Sequence, residues 1–452
     1  MASAVIEMPS DAVAAERAWP SARAGWYAVF VLSLTLLVNF LDRGIIALLV
    51  PQIKADLALS DTQLSLVMGF AFVMFYMVAG LPIARHADKG NRRNLIAVGM
   101  ALWGAATALC GFARSFGGLF AFRVGVGVGE ACTGPASYSL LGDYFPPAKL
   151  PRAIAVLNFG FIAGNGLAIL IGGTLVAWLA SSGGIDLPWF GPLRVWQAAF
   201  FIVGIPGLLV ALLMLTVREP ERRQQGAPPP LREVMRFVLD HKTVYLPLIL
   251  GISLNTIVAV GHASWGPAFY MRTYGWDVGL IGLVSGLTYL LVMPFGVLIG
   301  GTLAERWSRQ GKTDANMRVT LLALALAFPF MLAGPLMPGG GLAAACAAAG
   351  LFFTSWLFGP QNAAIQTVTP GRMRGMVTAL VLFGFNVIGY GLGPTVLALF
   401  TDFVFNDPGQ IRYAMVACYA IISPIAFIIL WLGLKPYGRA VAALHATDFK
   451  GE

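Results

Sequence analysis

Residues 26–50 read WYAVFVLSLTLLVNFLDRGIIALLV. Wound as an α-helix, a stretch of this length rises about 1.5 Å per residue and crosses a hydrocarbon core of roughly 30 Å. Apolar runs like it recur to the end of the chain, near 62–84, 94–113, 116–145, 153–180, 194–217, 243–270, 278–304, 318–337, 342–369, 375–402 and 411–434. The expected fold class is an all-α membrane protein with twelve transmembrane helices. Composition agrees: 58% of the 452 residues are hydrophobic and 11% are charged, and mean hydropathy is +0.76. A soluble domain carries about 25% charge, so this chain has too few charges to cover a water-facing surface. The 53 glycines and 27 prolines suit membrane helices, where both are commoner than in soluble ones.

Residues 1–25 read as a tail rather than a signal peptide. They carry Glu7, Asp11 and Glu16 and lack a charged start followed by an apolar stretch, so the first span is expected to stay in the protein. Cys110, Cys132, Cys346 and Cys418 lie singly in apolar runs and read as packed core residues, with no metal spacing.

The net charge of +9 could suggest nucleic acid, but its distribution points to a bilayer. With the N-terminus inside, alternate loops hold 23 Lys and Arg on the inner side and five (Lys54, Arg114, Arg194, Arg272 and Arg412) on the outer side. That is the bias of the positive-inside rule, and it places both ends in the cytoplasm. The longest inner loop, 218–242, contains the linker QQGAPPP and an expected short surface helix, Leu231–Asp240. It divides the chain into a tail (1–25), a first six-helix half (26–217), the linker (218–242), a second half (243–434) and a C-terminal tail (435–452). The halves echo each other. Asp88-Lys89 after span two corresponds to Glu305-Arg306 after span eight; Pro146-Pro147 leading to Arg152 corresponds to Pro370-Gly371 leading to Arg374. The offsets are 217 and 222 residues. Parallel repeats of six spans build one large group of secondary transporters.

Two spans carry charges. Asp42 and Arg43 interrupt span one, and Arg123 and Glu130 interrupt span four. A charge near mid-membrane costs roughly 2.5–3.5 kcal/mol on insertion scales, so all four should be paired or hydrated. Asp42 and Arg123 fall at similar depth, roughly 10–12 Å from the outer surface at 1.5 Å per residue. Glu130 lies two turns deeper on the same face as Arg123, with Gly127 and Gly134 on that stripe. Small residues there would let another helix or a cavity approach. A static salt-bridge network holding spans one and four together would explain the charges. A proton-coupling site explains them better, because burial and a neighbouring arginine act in opposite directions on a carboxylate. The second half has no such charges. Its candidate cavity lining is Asn255, His262, Trp265, Trp356, Gln361, Asn362 and Asn386. A cavity charged on one side and apolar on the other would suit an amphiphile. Gly311-Lys312-Thr313 lacks the glycine that a Walker A loop needs, which argues against ATP as the driver. No catalytic constellation and no cofactor motif is present, so an enzyme is not expected.

The sequence from Ala84 through Asp88-Lys89 to Asn91-Arg92-Arg93 is similar to the loop motif of the major facilitator superfamily, with Ala84 and Asn91 where glycines are usual. More narrowly, Asn39-Phe-Leu-Asp42-Arg43, Asn91-Arg92-Arg93, Arg123-x-x-x-Gly127-x-Gly129-Glu130-Ala131 and Gly142-Asp143-Tyr-Phe145 resemble the Spinster family, mainly over spans one to five. This resemblance implies alternating access around a cavity lined by spans one, four, seven and ten. It implies Asp42 and Glu130 as the proton-coupling pair, with Arg43 and Arg123 as partners or substrate contacts. A cytoplasmic gate is expected at the inner mouth, where a helix end would stabilise Asp88 among Arg92 and Arg93, with Asp143, Arg152, Glu305 and Arg306 as further members. Spinster relatives in animals move sphingosine-1-phosphate and lysophospholipids, so the expected partners are protons and a small-molecule or lipid substrate. The expected setting is a monomer in a bacterial inner membrane. Anion:proton symporters for sugar acids also carry Asn-x-x-Asp-Arg in span one and Glu-Ala in span four, and there the arginines would clamp a carboxylate. A non-transporting receptor or scaffold on the same fold is the reading from another class.

Overall fold

The computed structural model describes residues 19–187, 191–222 and 230–448. Most of the expected N-terminal tail, the end of the C-terminal tail and part of the linker, 223–229, lie outside the described residues. Eleven of the described helices are long and apolar enough to cross a membrane: Ala22–Leu48, Asp61–Gly80, Arg92–Cys110, Leu150–Ser181, Val195–Met214, Lys242–Tyr274, Val278–Arg309, Ala315–Leu336, Gly340–Thr367, Arg374–Phe405 and Pro408–Leu444. The remaining crossing, span four, is built from two shorter helices, Phe116–Glu130 and Gly134–Tyr144. Its break follows from Pro135, which has no N–H to offer the carbonyl of Ala131. Glu130 is therefore the last helical residue before a turn, and Thr133 Oγ1 donates to its carbonyl at 2.8 Å. In chain order, six crossings precede the short helix Leu231–Asp240 and six follow it. One departure from an all-helical chain is a small antiparallel hairpin, Ile185–Leu187 with Gly191–Leu193, in the loop after span five.

An even number of crossings puts the first and last described residues on one face of the bundle, here called the terminal face; the opposite one is the far face. The two sets of six meet near the far face. Spans five and eight cross at Gly173 and Gly282, where a Cβ added to Gly173 would lie 2.6 Å from the Gly282 Cα. No side chain larger than hydrogen fits that backbone-to-backbone contact. Span two meets span eleven through Ser65 Oγ, which donates to Thr395 Oγ1 at 3.2 Å. Both of these helices contain wider, π-helical turns, Leu66–Phe70 and Asn386–Tyr390, a feature that often accompanies functional regions.

Candidate functional site: two crossed ion pairs

Asp42 and Arg43 follow one another in span one, so their side chains leave the helix about 100° apart. Asp42 points toward spans three and four. It accepts from Arg123 Nη1 at 2.9 Å, from Thr107 Oγ1 at 3.1 Å and from Trp103 Nε1 at 3.3 Å. Asp42 and Arg123 are both sealed, at 0% and 1% exposure. Arg43 turns the other way and pairs with Glu130, donating from Nε at 3.3 Å and from Nη2 in a closer contact. This pair differs in its surroundings, because the Arg43 side chain keeps 30% of its surface exposed while that of Glu130 keeps 5%. The four charges are thus paired crosswise between spans one and four, and Arg43 is the member that is partly exposed.

Phe72 of span two touches both guanidinium groups. Its ring centroid lies 4.5 Å from Arg43 Cζ and 5.7 Å from Arg123 Cζ. Phe40 stands 5.9 Å from Arg43. Aromatic faces attract a cation while excluding water. The close seat of Phe72 depends on Gly127, where an added Cβ would lie 2.4 Å from the Phe72 carbonyl oxygen. The small stripe expected on span four therefore receives span two. Trp103, Thr107 and Phe72 had no distinguishing signal in the sequence, since each is an ordinary residue of an apolar helix.

The residues expected to form a gate fall into several separate contacts. Arg92 is fully buried inside the first half. It pairs with Asp143, reaches Glu219 at 2.7 Å and donates to the Ser139 carbonyl at 3.0 Å. Arg93 extends that cluster, its backbone N–H donating to Glu219 Oε2 at 2.9 Å. Arg152 lies over Trp26, 5.6 Å away. These contacts tie spans one, three, four, five and six of one half together rather than bridging to the other half. Glu305 pairs with Arg309, not with its neighbour Arg306. The side chain of Asp88 lies outside the described residues.

In the second half the expected lining separates into two sets. Trp265 and Trp356 are buried and do not face open space. Trp265 Nε1 donates to the Pro394 carbonyl at 2.9 Å, and Trp356 packs edge-on against Phe352 and Phe353. Large aromatic surface wins more by packing than by lining a wet cavity. Asn362 is exposed, while Asn255, His262, Gln361 and Asn386 are half-buried. His262 Nδ1 lies 2.8 Å from the Tyr419 hydroxyl, and Asn386 Nδ2 donates to the Leu382 carbonyl at 2.8 Å.

A second polar cluster, unmarked in the sequence reading, closes the far face. Asp61 opens span two and is fully buried. It accepts two hydrogen bonds from Arg272 of span seven, at 2.7 and 2.9 Å, and pairs with Lys54. One residue on, Thr62 donates from its backbone N–H and its hydroxyl to Asp402 Oδ2 of span eleven, both at 2.7 Å. Arginine on carboxylate at two points is a strong and directional contact. Charges at helix ends are common, so nothing in the sequence alone paired Asp61 with Arg272.

Twelve spans in two packed sets that meet near the far face, with two ion pairs held inside the first set, are the architecture of a polytopic membrane transporter. The pattern of the Major Facilitator Superfamily matches residues 32–394, and the chain belongs to that superfamily. It is 29% identical over 423 residues to an "MFS-type efflux pump" of Mycolicibacterium smegmatis, covering 93% of this chain and 95% of that one. It is 25% identical over 351 residues to "Protein spinster" of Drosophila melanogaster, covering 74% of this chain and 54% of that one. Among solved structures it resembles a bacterial homologue of the human lysosomal transporter Spinster, crystallised inward-facing and unoccupied. The TM-score there is 0.76 at 27% identity, over 94% of this chain and 98% of that chain.

Proposed function

We propose that this chain is a proton-coupled secondary active transporter working by alternating access, and that its cargo is an amphipathic molecule with an anionic headgroup, of the sphingolipid or lysophospholipid class. The observation that carries this reading is the contrast between the two ion pairs. Arg43 is the member with access to open space and holds the nearly buried Glu130 beside it, while Asp42 is held by three donors and fully sealed. With both carboxylates ionised the site is neutral. A proton on Glu130 breaks the balance and releases the Arg43 guanidinium, a group whose planar fork suits phosphate or carboxylate oxygens. Phe40 and Phe72 beside it offer apolar contact to the rest of an amphiphile. Asp42 and Arg123 supply the second half of the coupling site.

The far-face contacts support an inward-facing state. Since Asp61, Thr62 and Gly173 join the halves at that face, the exposure of Arg43 opens toward the terminal face. The distribution of 23 basic residues against five supports a cytoplasmic terminal face, and the bacterial relatives support an inner membrane. The test is flux in proteoliposomes holding a pH-sensitive dye. Under an imposed pH gradient, lysophospholipids or sphingolipids are expected to move with proton flux, and Glu130→Gln to abolish that coupling. Coupled flux with sugar acids and none with lipids would replace the cargo; proton-independent flux of every substrate would end the coupling scheme.

A further inference from the structure

The linker helix Leu231–Asp240 presents two apolar faces where a short surface helix needs one. Val234 and Val238, at 0% and 8% exposure, turn inward. They join the core cluster that includes Tyr245 of span seven, Met373 just before span eleven and Val377 within it. Beside them runs a second stripe, Leu231, Met235 and Leu239, spaced four apart and therefore on one line along the helix. These three remain 58%, 40% and 62% exposed. The apolar line continues past the turn to Leu246, 52% exposed in the first turns of span seven. Next around the helix, by 100° per residue, come Arg232 and Arg236. Arg236 reaches Asp240 only at 3.9 Å with both side chains open, a contact too loose to occupy the guanidinium. Asp240 and Glu233 lie further round, away from the apolar line.

We propose that this helix docks on the bilayer surface as a binding site for anionic phospholipid, with Leu231, Met235 and Leu239 in the acyl boundary and Arg232 and Arg236 on headgroup phosphates. A helix with an apolar line flanked by arginines lies in the interface plane in this way, and each basic side chain near an anionic surface adds to the binding. Span seven already stands in the hydrocarbon, so the docked stripe extends the lipid-facing belt without a break. The inward valines carry the contact to the terminal-face ends of spans seven and eleven, fixing that part of the second half relative to the membrane plane. This site is separate from the transport site and independent of the cargo.

The experiment uses the full chain in nanodiscs of phosphatidylcholine, with or without phosphatidylglycerol. An environment-sensitive fluorophore is attached at Met235→Cys or Asp240→Cys, with the unmodified chain treated identically as the blank. Nitroxide lipids labelled at a shallow acyl position should quench the probe at 235 and spare the one at 240, more strongly when phosphatidylglycerol is present. Arg232→Gln and Arg236→Gln should each lower the docked-to-undocked ratio about fivefold in the anionic discs, and high salt should do the same to the unaltered arginines. All these positions are exposed, and an unchanged melting temperature checks the fold; the salt arm needs no arginine variant. Equal quenching at 235 and 240 would overturn the docking. Quenching indifferent to phosphatidylglycerol, to salt and to both arginines would overturn the anionic headgroup.

Discussion

Arg272 and Asp61 form a two-point ion pair, at 2.7 and 2.9 Å, that joins span seven to span two across the two halves. Opening the far face has to part these groups. Hydrogen bonds to charged partners contribute about 1.5–3 kcal/mol each, so Arg272→Gln should raise the far-open population by roughly tenfold or more. Asp61 keeps Lys54 as a partner in that variant, and the fold should survive. Spin-label distances across the far mouth read the population, and an unchanged distribution would remove the latch from the transport cycle.

Arg123→Ala should cost far more stability than Arg43→Ala. The first strands a carboxylate at 0% exposure with only Trp103 and Thr107 to satisfy it. Removing one partner of a buried pair costs about 3–5 kcal/mol. The second strands Glu130, whose side chain is 5% exposed, but it removes a 30%-exposed arginine from in front of that carboxylate and so lets water reach it. Melting temperatures of the two purified variants make the comparison, and equal losses would show that the pairs do not differ in the way their burial indicates.

Glu130→Gln imitates the protonated acid permanently. The variant should fold, since the substituted amide oxygen can still accept from Arg43, and it should lose flux driven by a pH gradient at every pH. Asp42→Asn should lose coupling and also melt lower, because its three donors were arranged for a charge. Dye-reported proton flux and melting on the same samples separate the effects. A static salt bridge gives the opposite result for Glu130→Gln: lower stability with normal pH dependence.

Much of this site was legible in the sequence, and the part that was not has physical reasons. A charge inside an apolar run is conspicuous because the membrane penalises it, so Asp42, Arg43, Arg123 and Glu130 stood out, and the depth rule brought Asp42 to Arg123. Which acid would be sealed depended on helix rotation and on Trp103, which no periodicity marks. Trp265 and Trp356 misled for the converse reason, since aromatics line cavities and fill cores alike. The Arg92 cluster sits in the expected loop, and the contacts described for it lie within one half, where span three and the end of span six bring Glu219 within 2.7 Å of Arg92. Twelve spans were readable from hydropathy, but the break in span four shows only as a proline among glycines.

Gly282→Ala should hold the far face ajar. Its Cβ would lie 2.7 Å from the Gly173 Cα in the structure described, closer than packed atoms allow, whereas separated halves would accommodate it. Its effect should therefore be conformational, with the label distance across the far mouth increasing and the melting temperature changing little. A large fall in melting temperature without added far-side separation would mark the crossing as a fixed seam.

Topology can be read by labelling. Ser182, exposed in the loop after span five, and Gln310, exposed after span eight, lie on opposite faces. Ser182→Cys should react with an impermeant thiol reagent added to intact cells, and Gln310→Cys only after permeabilisation. The reverse order would invert the orientation.

The crosswise pairing also has an electrical consequence. Each buried cation in spans one and four is matched by its own anion, so the resting site presents no net charge to the transmembrane voltage. Moving one elementary charge through 100 mV is worth about 2.3 kcal/mol. A half that rocks with both pairs intact avoids that work, and so does one carrying a proton together with a monovalent anion. On the coupling scheme proposed above such a cycle is electrically silent, so its direction follows from the proton and cargo concentration gradients and not from the voltage.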